Sequence, residues 1–444
     1  MSDWGLAKVK DVAKMEPLSF TDGDWIESPF IVSQGIRLIQ TGNVGVGTFK
    51  NKNKKFISEE TFTQLRCTEV FPGDMLICRL ADPIGRACIV PELPGRFITS
   101  VDVCILRVDE DTHDKRFIFY KINEESFLKR CAEVSGGTTR QRISRSNLGL
   151  LEIEVAPKPE QRKIARILTT LDNLIEKTEA LIAKYQSIKQ GMMHDLFTRG
   201  VDSSGQLRHT QEQAPDLYKQ SELGWIPKEW EAGAIGDFVD SLIDGPFGSN
   251  LKTEHYVKEP AVRVVRLQNI SCSGYDDSDP AFISQAHANF LSRHKVVGGD
   301  VLIASLGDDN HPPGRSCLYP RHLSPAVNKA DCFRLRCNPK TATNAFVSYS
   351  LNTTFVRRET KRFTQGVTLV RINGSNMKKV RMKLPLIDEQ NEIVKRLEAI
   401  ESTIEQQQTL EQKYRLQKSG LMQDLLTGKV RVKFDEAEEA SAHA

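Results

Sequence analysis

The sequence predicts an α+β chain: two tandem α/β domains separated by two long helices, which pack as an antiparallel coiled coil with pseudo-two-fold symmetry. Three observations lead there: an internal duplication, short β-type runs in each copy, and a heptad-patterned stretch closing each copy. At 444 residues the chain exceeds one ordinary core.

The duplication comes first. Trp4 matches Trp230 and Asp11 matches Asp237, both displaced by 226 positions. "GIRLIQTGNV" (35–44) matches "AVRVVRLQNI" (261–270) at the same offset. "FPGDMLICRLADPIGRACIVP" (71–91) matches "VGGDVLIASLGDDNHPPGRSCLYP" (297–320), where three added residues change the offset to 229. "FIFY" (117–120) then matches "FVSY" (346–349), "SGGTTRQRISRSNL" (135–148) matches "TQGVTLVRINGSNM" (364–377), and "PEQRKI" (159–164) matches "DEQNEI" (388–393). One register with a single insertion over that span excludes chance.

The domains read as β-rich. Runs such as "MLIC", "VCILRV", "VLIA" and "CFRLRC" are separated by Gly, Pro and Asn. The predicted bounds are 1–155 for the first domain, 156–198 for the first helix and 199–230 for a polar connector. The second domain follows at 231–384, the second helix at 385–428 and an acidic tail at 429–444. Ile164, Leu168, Leu171, Ile175, Ile182, Tyr185, Met192 and Leu196 form one apolar seam. Ile393, Leu397, Ile400, Ile404, Tyr414, Leu421 and Leu425 form the other, interrupted by Gln407 and Glu411. About 38 helical residues span roughly 57 Å, a length that needs a partner helix. Pro157, Pro159 and Pro385 mark the starts, whereas Gly191 and Gly420 weaken the case for unbroken helices.

Composition narrows the function. Hydrophobic residues at 39% and charged residues at 27% describe a soluble globular protein, and no apolar run would span a bilayer. The first residues lack a secretory pattern, and nine cysteines without a CxxC pair read as reduced thiols, so a cytoplasmic setting without a metal site is expected. Residues 231–384 carry 21 basic and 14 acidic side chains, whereas residues 1–155 are balanced, with patches at "KNKNKK" (50–55) and "TTRQRISR" (138–145). Basic patches mark phosphate binding, although any one alone is more commonly a solvated face. No GxxxxGK[ST], HExxH or GxSxG is present. "HPPG" (311–314) only superficially matches the Asn-Pro-Pro-aromatic motif of amino methyltransferases, and His113, His194 and His311 have no repeat partners. The expectation is a chain that binds while another catalyses.

"SELGWIPKEWE" (221–231), "DGPFGSNLKTEHY" (244–256), the "GD…GR…P" hairpin and "DEQNEI…LMQDLLTGK" together resemble the specificity subunit of type I restriction-modification enzymes over nearly the whole chain. "DGDWIESP" (22–29) departs from the fuller motif in the first domain. The resemblance implies two target-recognition domains, each reading half of a bipartite, asymmetric double-stranded DNA sequence, with the helices setting the spacer. It implies two methyltransferase subunits and two restriction/translocase subunits as partners, which carry S-adenosylmethionine, ATP and Mg; this chain is expected to hold no cofactor and to be no enzyme. The alternatives are a specificity subunit of a type IIB-like enzyme and a coiled-coil protein-binding adaptor.

Candidate DNA contacts are loop residues with forked or amide donors suited to base edges and phosphates. They are Arg37, Gln40, Asn43, Arg86, Thr138, Arg140 and Arg142 in the first domain. In the second they are Ser249, Lys252, Arg266, Asn269, Arg315, Thr368 and Arg371. The shared pair Arg86 and Arg315 is expected on phosphates, and differing residues such as Gln40 and Arg266 on bases. The helix ends "QGMMHDLFTRG" (190–200) and "SGLMQDLLTGK" (419–429) present wide apolar arcs. Met192, Met193, Leu196 and Phe197, with Leu421, Met422, Leu425 and Leu426, are therefore expected to dock partners. Asp195 and Asp424, acids in a last turn, are expected to meet a donor on that partner.

Overall fold

The computed structural model describes residues 4–80, 82–137, 140–258 and 261–432. It divides into two compact units, the described residues of Met1–Ala180 with those of Gln408–Ala444, and Leu181–Gln407. Each unit is therefore a domain plus part of both long helices.

In the first unit an antiparallel four-stranded sheet orders Phe20–Asp22, Val103–Leu106, Met75–Cys78 and Ala87–Ile89. A second sheet orders Lys55–Ile57, Ile36–Ile39, Phe97–Thr99 and Glu69–Val70, with its middle pair parallel. The continuous apolar runs "MLIC" and "VCIL" are buried on both faces, which is why they lack alternation. The second unit repeats the plan. Val239–Ile243, Cys332–Cys337, Val301–Ala304 and Ser316–Leu318 form one sheet. Val262–Val265 pairs in parallel with Ala326–Asn328 in the other.

The long helices run unbroken over Lys158–Thr198 and Ile387–Leu425, 41 and 39 residues. Gly191 and Gly420 lie within them facing open space, so neither glycine marks a break or a close approach. In the first unit Lys418 meets Asp172 at 2.5 Å and Arg415 meets Glu179; in the second Lys189 meets Glu401 at 2.6 Å. Early positions of one helix face late positions of the other, so the pairing is antiparallel. Ile164, Leu168, Ile393 and Leu397 are fully buried where the helices enter the domains, while Ile182, Tyr185, Ile404 and Tyr414 between them are half-buried. No helix among the described residues is long and apolar enough to cross a membrane.

The repeated "EQ" at each helix start has a structural reason. Gln161 accepts from the Asp114 amide and donates to the Ala156 carbonyl, and Gln390 does the same with Thr343 and Pro385. Glu160 is buried, accepting from the Trp4 indole and both arms of Arg431. Its counterpart Glu389 accepts from Trp230 and Arg208. A third equivalence ties each domain to the helices. Tyr120 donates to Asp172, which Lys418 also meets; Tyr349 donates to Glu401, which Lys189 also meets.

The helix ends correct one expectation. Leu196 and Phe197 lie in the core of the second unit beside Trp230, Ile393 and Leu397, with Met192 and Met193 packed against it. Phe197 stacks on Phe346 at 5.1 Å. Leu425 and Leu426 complete the core of the first unit with Phe117, Ile164 and Leu168, and Leu421 and Met422 cover them. Leu196, Phe197, Leu425 and Leu426 therefore fill the chain's own cores and are withdrawn as partner contacts, whereas Met192, Met193, Leu421 and Met422 stay half-buried at the edge of those cores. The wide arc exists because each helix end meets a domain core as well as a helix. The acids find donors locally: Asp195 pairs with Arg199 at 3.0 Å and Asp424 with Lys429 at 3.1 Å.

Candidate nucleic-acid interface

The two turns that follow the parallel strands are built alike. The Asn43 carboxamide accepts from the Gln40 amide and donates to the Lys50 and Lys52 carbonyls, so it shapes the basic "KNKNKK" loop. Asn269 accepts from the Arg266 amide and donates to the Asp276 carbonyl. Both asparagines are buried and occupied, which withdraws them as base readers. Gln40 is half-buried with its backbone in this turn.

Arg86 and Arg315 are likewise not phosphate contacts. Arg86 donates to the carbonyls of Val44, Pro83 and Thr41 at 2.7, 2.9 and 3.0 Å. Arg315 donates to those of Ile270, His311 and Leu267 at 2.9, 2.9 and 3.2 Å. Both side chains are buried, and burial pushes the Arg315 pKa down. Each staples the Gly-Arg hairpin to the preceding turn, satisfying its carbonyls with a buried guanidinium.

Arg37, in the strand Ile36–Ile39, and Arg266, in the turn after Val262–Val265, are each held by a neighbouring loop. Arg37 is buried, donates to Asn51 at 2.8 Å, and is also pushed down by burial. Arg266 pairs with Asp279 at 3.0 Å. Ser249 and Lys252 are exposed beside a 3₁₀ turn, Gly248–Leu251. Thr138 lies outside the described residues.

What the fold does bring to one edge in both domains is a half-exposed arginine fixed by a carboxylate. Arg142 pairs with Asp102 at 2.7 Å and Arg371 with Asp331 at 2.7 Å. Each arginine closes a small loop by backbone bonds, Arg142 to Gly136 and Arg371 to Gln365. Arg140 stands exposed on the first loop and Thr368 on the second. Holding a guanidinium by one side leaves its remaining donors aimed outward at low entropic cost. Asp102 and Asp331 were absent from the sequence candidates, yet they fall at the 229 offset in "SVDV" and "KADC".

Sheet pairing also shows that Asp22 and Asp244 are equivalent, since they follow the residues opposite Ile105 and Arg334. Asp22 meets Arg79 at 2.9 Å. Position 305, the counterpart of Arg79, is serine, and Asp244 is left on a pocket lined by Asn373, Gly374 and Lys378. Burial first, with the nearby Asp331 charge adding, pushes its pKa up to about 6. Three residues beyond each of these acids stands an aromatic, Trp25 or Phe247, 71% and 53% exposed. Among the described residues no group of three or more His, Cys, Asp or Glu could hold a metal ion.

The family model for the type I restriction modification DNA specificity domain matches residues 1–185 and 227–413. A Methanocaldococcus jannaschii protein named for the MjaX type I restriction enzyme specificity subunit is 27% identical, over 81% of this chain and 79% of its own. The EcoBI specificity subunit of Escherichia coli is 23% identical over 74% and 67%. The crystal structure of a type I restriction-modification S subunit from M. genitalium is similar in fold, with a TM-score of 0.58 at 15% identity, covering 98% of this chain and 97% of that one.

Proposed function

The chain belongs to the type I restriction-modification DNA specificity family, and from that premise we propose how its geometry serves that function. It is the DNA specificity subunit of a type I enzyme. Each domain reads one half of a bipartite, asymmetric target. The observation that carries this is the recurrence of one arginine–aspartate pair on one loop edge in two domains whose surrounding loops differ. A shared half-exposed guanidinium suits the phosphates that every DNA presents, and the differing loops suit base edges. Each base pair read contributes roughly 1–3 kcal/mol, so a few pairs per domain combine into a rare site.

The chain supplies recognition and leaves chemistry to cytoplasmic partners, two methyltransferase and two restriction/translocase subunits carrying S-adenosylmethionine, ATP and Mg. With Leu196, Phe197, Leu425 and Leu426 buried in the cores, methyltransferase docking falls to half-buried Met192, Met193, Leu421 and Met422 and to the helix surface where Leu181, Ile188 and Leu416 are exposed. The antiparallel helices set the spacer. Four residues inserted near Thr178 add roughly 6 Å of helix, or one to two base pairs at roughly 3.4 Å each.

Methylome sequencing of a host carrying this chain with its methyltransferase tests the reading. A methylated motif in two unequal halves is expected, with a longer spacer in the insertion variant. A palindromic motif would overturn two-domain reading; an unchanged spacer would overturn the ruler.

A further inference from the structure

We propose that Trp25 and Phe247 are a matched pair of aromatic contacts that pack against DNA bases, one in each half-site. The inference rests on the DNA-reading function above and adds a mode of contact to it.

The two rings hold the same place. Register across the first sheet equates Asp22 with Asp244, and the next residue is glycine in both. Gly23 lies against the Thr99 and Ser100 backbone, and Gly245 against that of Lys329 and Ala330, with no room for a side chain at either. Backbone contact this close fixes where the following loop leaves the sheet. Two residues later comes Trp25 in one domain and Phe247 in the other. The loop beyond is anchored in both: Ile26 and Ile31 pack on the Ile36, Leu38 and Ile57 cluster, and Leu251 packs with Val264 and Ile283. The aromatic itself is left outside, although Trp4, Trp230, Phe97 and Phe333 are buried.

One exposed aromatic is ordinary and carries no meaning. Two at equivalent positions, in loops with otherwise different sequences, need a cause outside the folded core. Their surroundings point to nucleic acid. The Asp24 carbonyl accepts from the Val101 amide at 2.9 Å, one residue before the Asp102 that holds Arg142. Gly245 touches Ala330, one residue before the Asp331 that holds Arg371. Each ring thus stands a few residues from a half-exposed guanidinium. Exposed Arg140 adds charge in the first domain, and exposed Lys378 and Lys379 in the second. Aromatic faces among fixed cations match a base stack edged by phosphates. The indole and phenyl rings differ in size, which gives the two half-sites different steps to accept.

The test uses the full chain with its methyltransferase and duplexes bearing the mapped target. Trp25→Ala and Phe247→Ala should each weaken cognate binding by about tenfold, with methyltransferase capture and circular dichroism unchanged. Trp25→Phe should retain most of the affinity. Tryptophan fluorescence should fall when wild type meets cognate DNA, and that fall should vanish in Trp25→Phe. Unchanged affinity and fluorescence would overturn the proposal. So would loss of methyltransferase capture with DNA affinity kept, since the rings would then contact protein. A wild type without sequence-selective binding would sink the DNA-reading function itself, and this contact with it.

Discussion

The first and second domains share one skeleton and distribute charge through it differently. The first pairs Asp22 with Arg79 but sets buried Arg37 against the neutral amide of Asn51. The second pairs the equivalent Arg263 with Asp277 at 2.5 Å but has Ser305 in place of the arginine that would meet Asp244. What is identical in both is the framework: the carbonyl-bound arginines 86 and 315, the turn-forming asparagines 43 and 269, and the helix-start glutamines 161 and 390. The difference teaches that duplication preserved the parts that hold loops in place, the Arg142–Asp102 and Arg371–Asp331 pairs among them, and released the charge partners of Arg37 and Asp22.

The largest effects should come from the borrowed core residues. Phe197→Ala should cost about 3–5 kcal/mol in the second unit, and Leu426→Ala about 2–5 kcal/mol in the first. Limited proteolysis would locate the damage; if Phe197→Ala loosened the first domain instead, the core assignment would fail. Next, Arg86→Ala and Arg315→Ala should each lose roughly 2–4 kcal/mol by removing the buried guanidinium that joins hairpin to turn. Thermal melts should register that loss, while methylome motifs recovered at permissive temperature stay the same.

Smaller changes sharpen the contrast in charge. Asn51→Asp gives Arg37 the partner that Arg263 already has, and should raise the stability of the first domain by about 1–2 kcal/mol. A lowered melting temperature would refute the idea that Arg37 is undercompensated. Last, Asp244 binds its proton more tightly folded, pKa about 6, than the ordinary 3.8 of an unfolded chain. Its contribution to unfolding free energy therefore falls as pH rises from about 4 through 6. Asp244→Asn should stabilise the second domain by about 1 kcal/mol at pH 7.5 and by nothing at pH 4, whereas Asp22→Asn should destabilise the first by stripping Arg79 of its partner. Equal Asp244→Asn effects at both pH values would dismiss burial as the cause.

The duplication and both helices were legible because offset and heptad period are properties of sequence alone. The destination of the helix ends was not. An apolar arc announces burial without naming what covers it, and Leu196 and Leu425 are covered by domains distant along the chain. Arginine likewise announces donors but not acceptors. Only the fold shows that Gly85 and Gly314, both at positive φ, turn Arg86 and Arg315 inward upon carbonyls while Arg142 and Arg371 face out. Trp25 is not legible as a repeat position because loop length shifts its match with Phe247 to 222 positions, away from the 226 that aligns the flanking segments.

The placement of Leu425 and Leu426 also bears on how the protein is made. Synthesis runs from the N-terminal to the C-terminal side, so the first domain leaves the ribosome with its core unfinished. The side chains that close it are translated roughly 250 residues later, on the order of 10–50 s at the usual elongation rate. For that interval Phe117, Ile164 and Leu168 lack their last cover. The second domain has no such wait, since Leu196 and Phe197 emerge before it. Any chain truncated before Leu425 would leave the first domain permanently at that nascent stage, a natural substrate for chaperones and proteases.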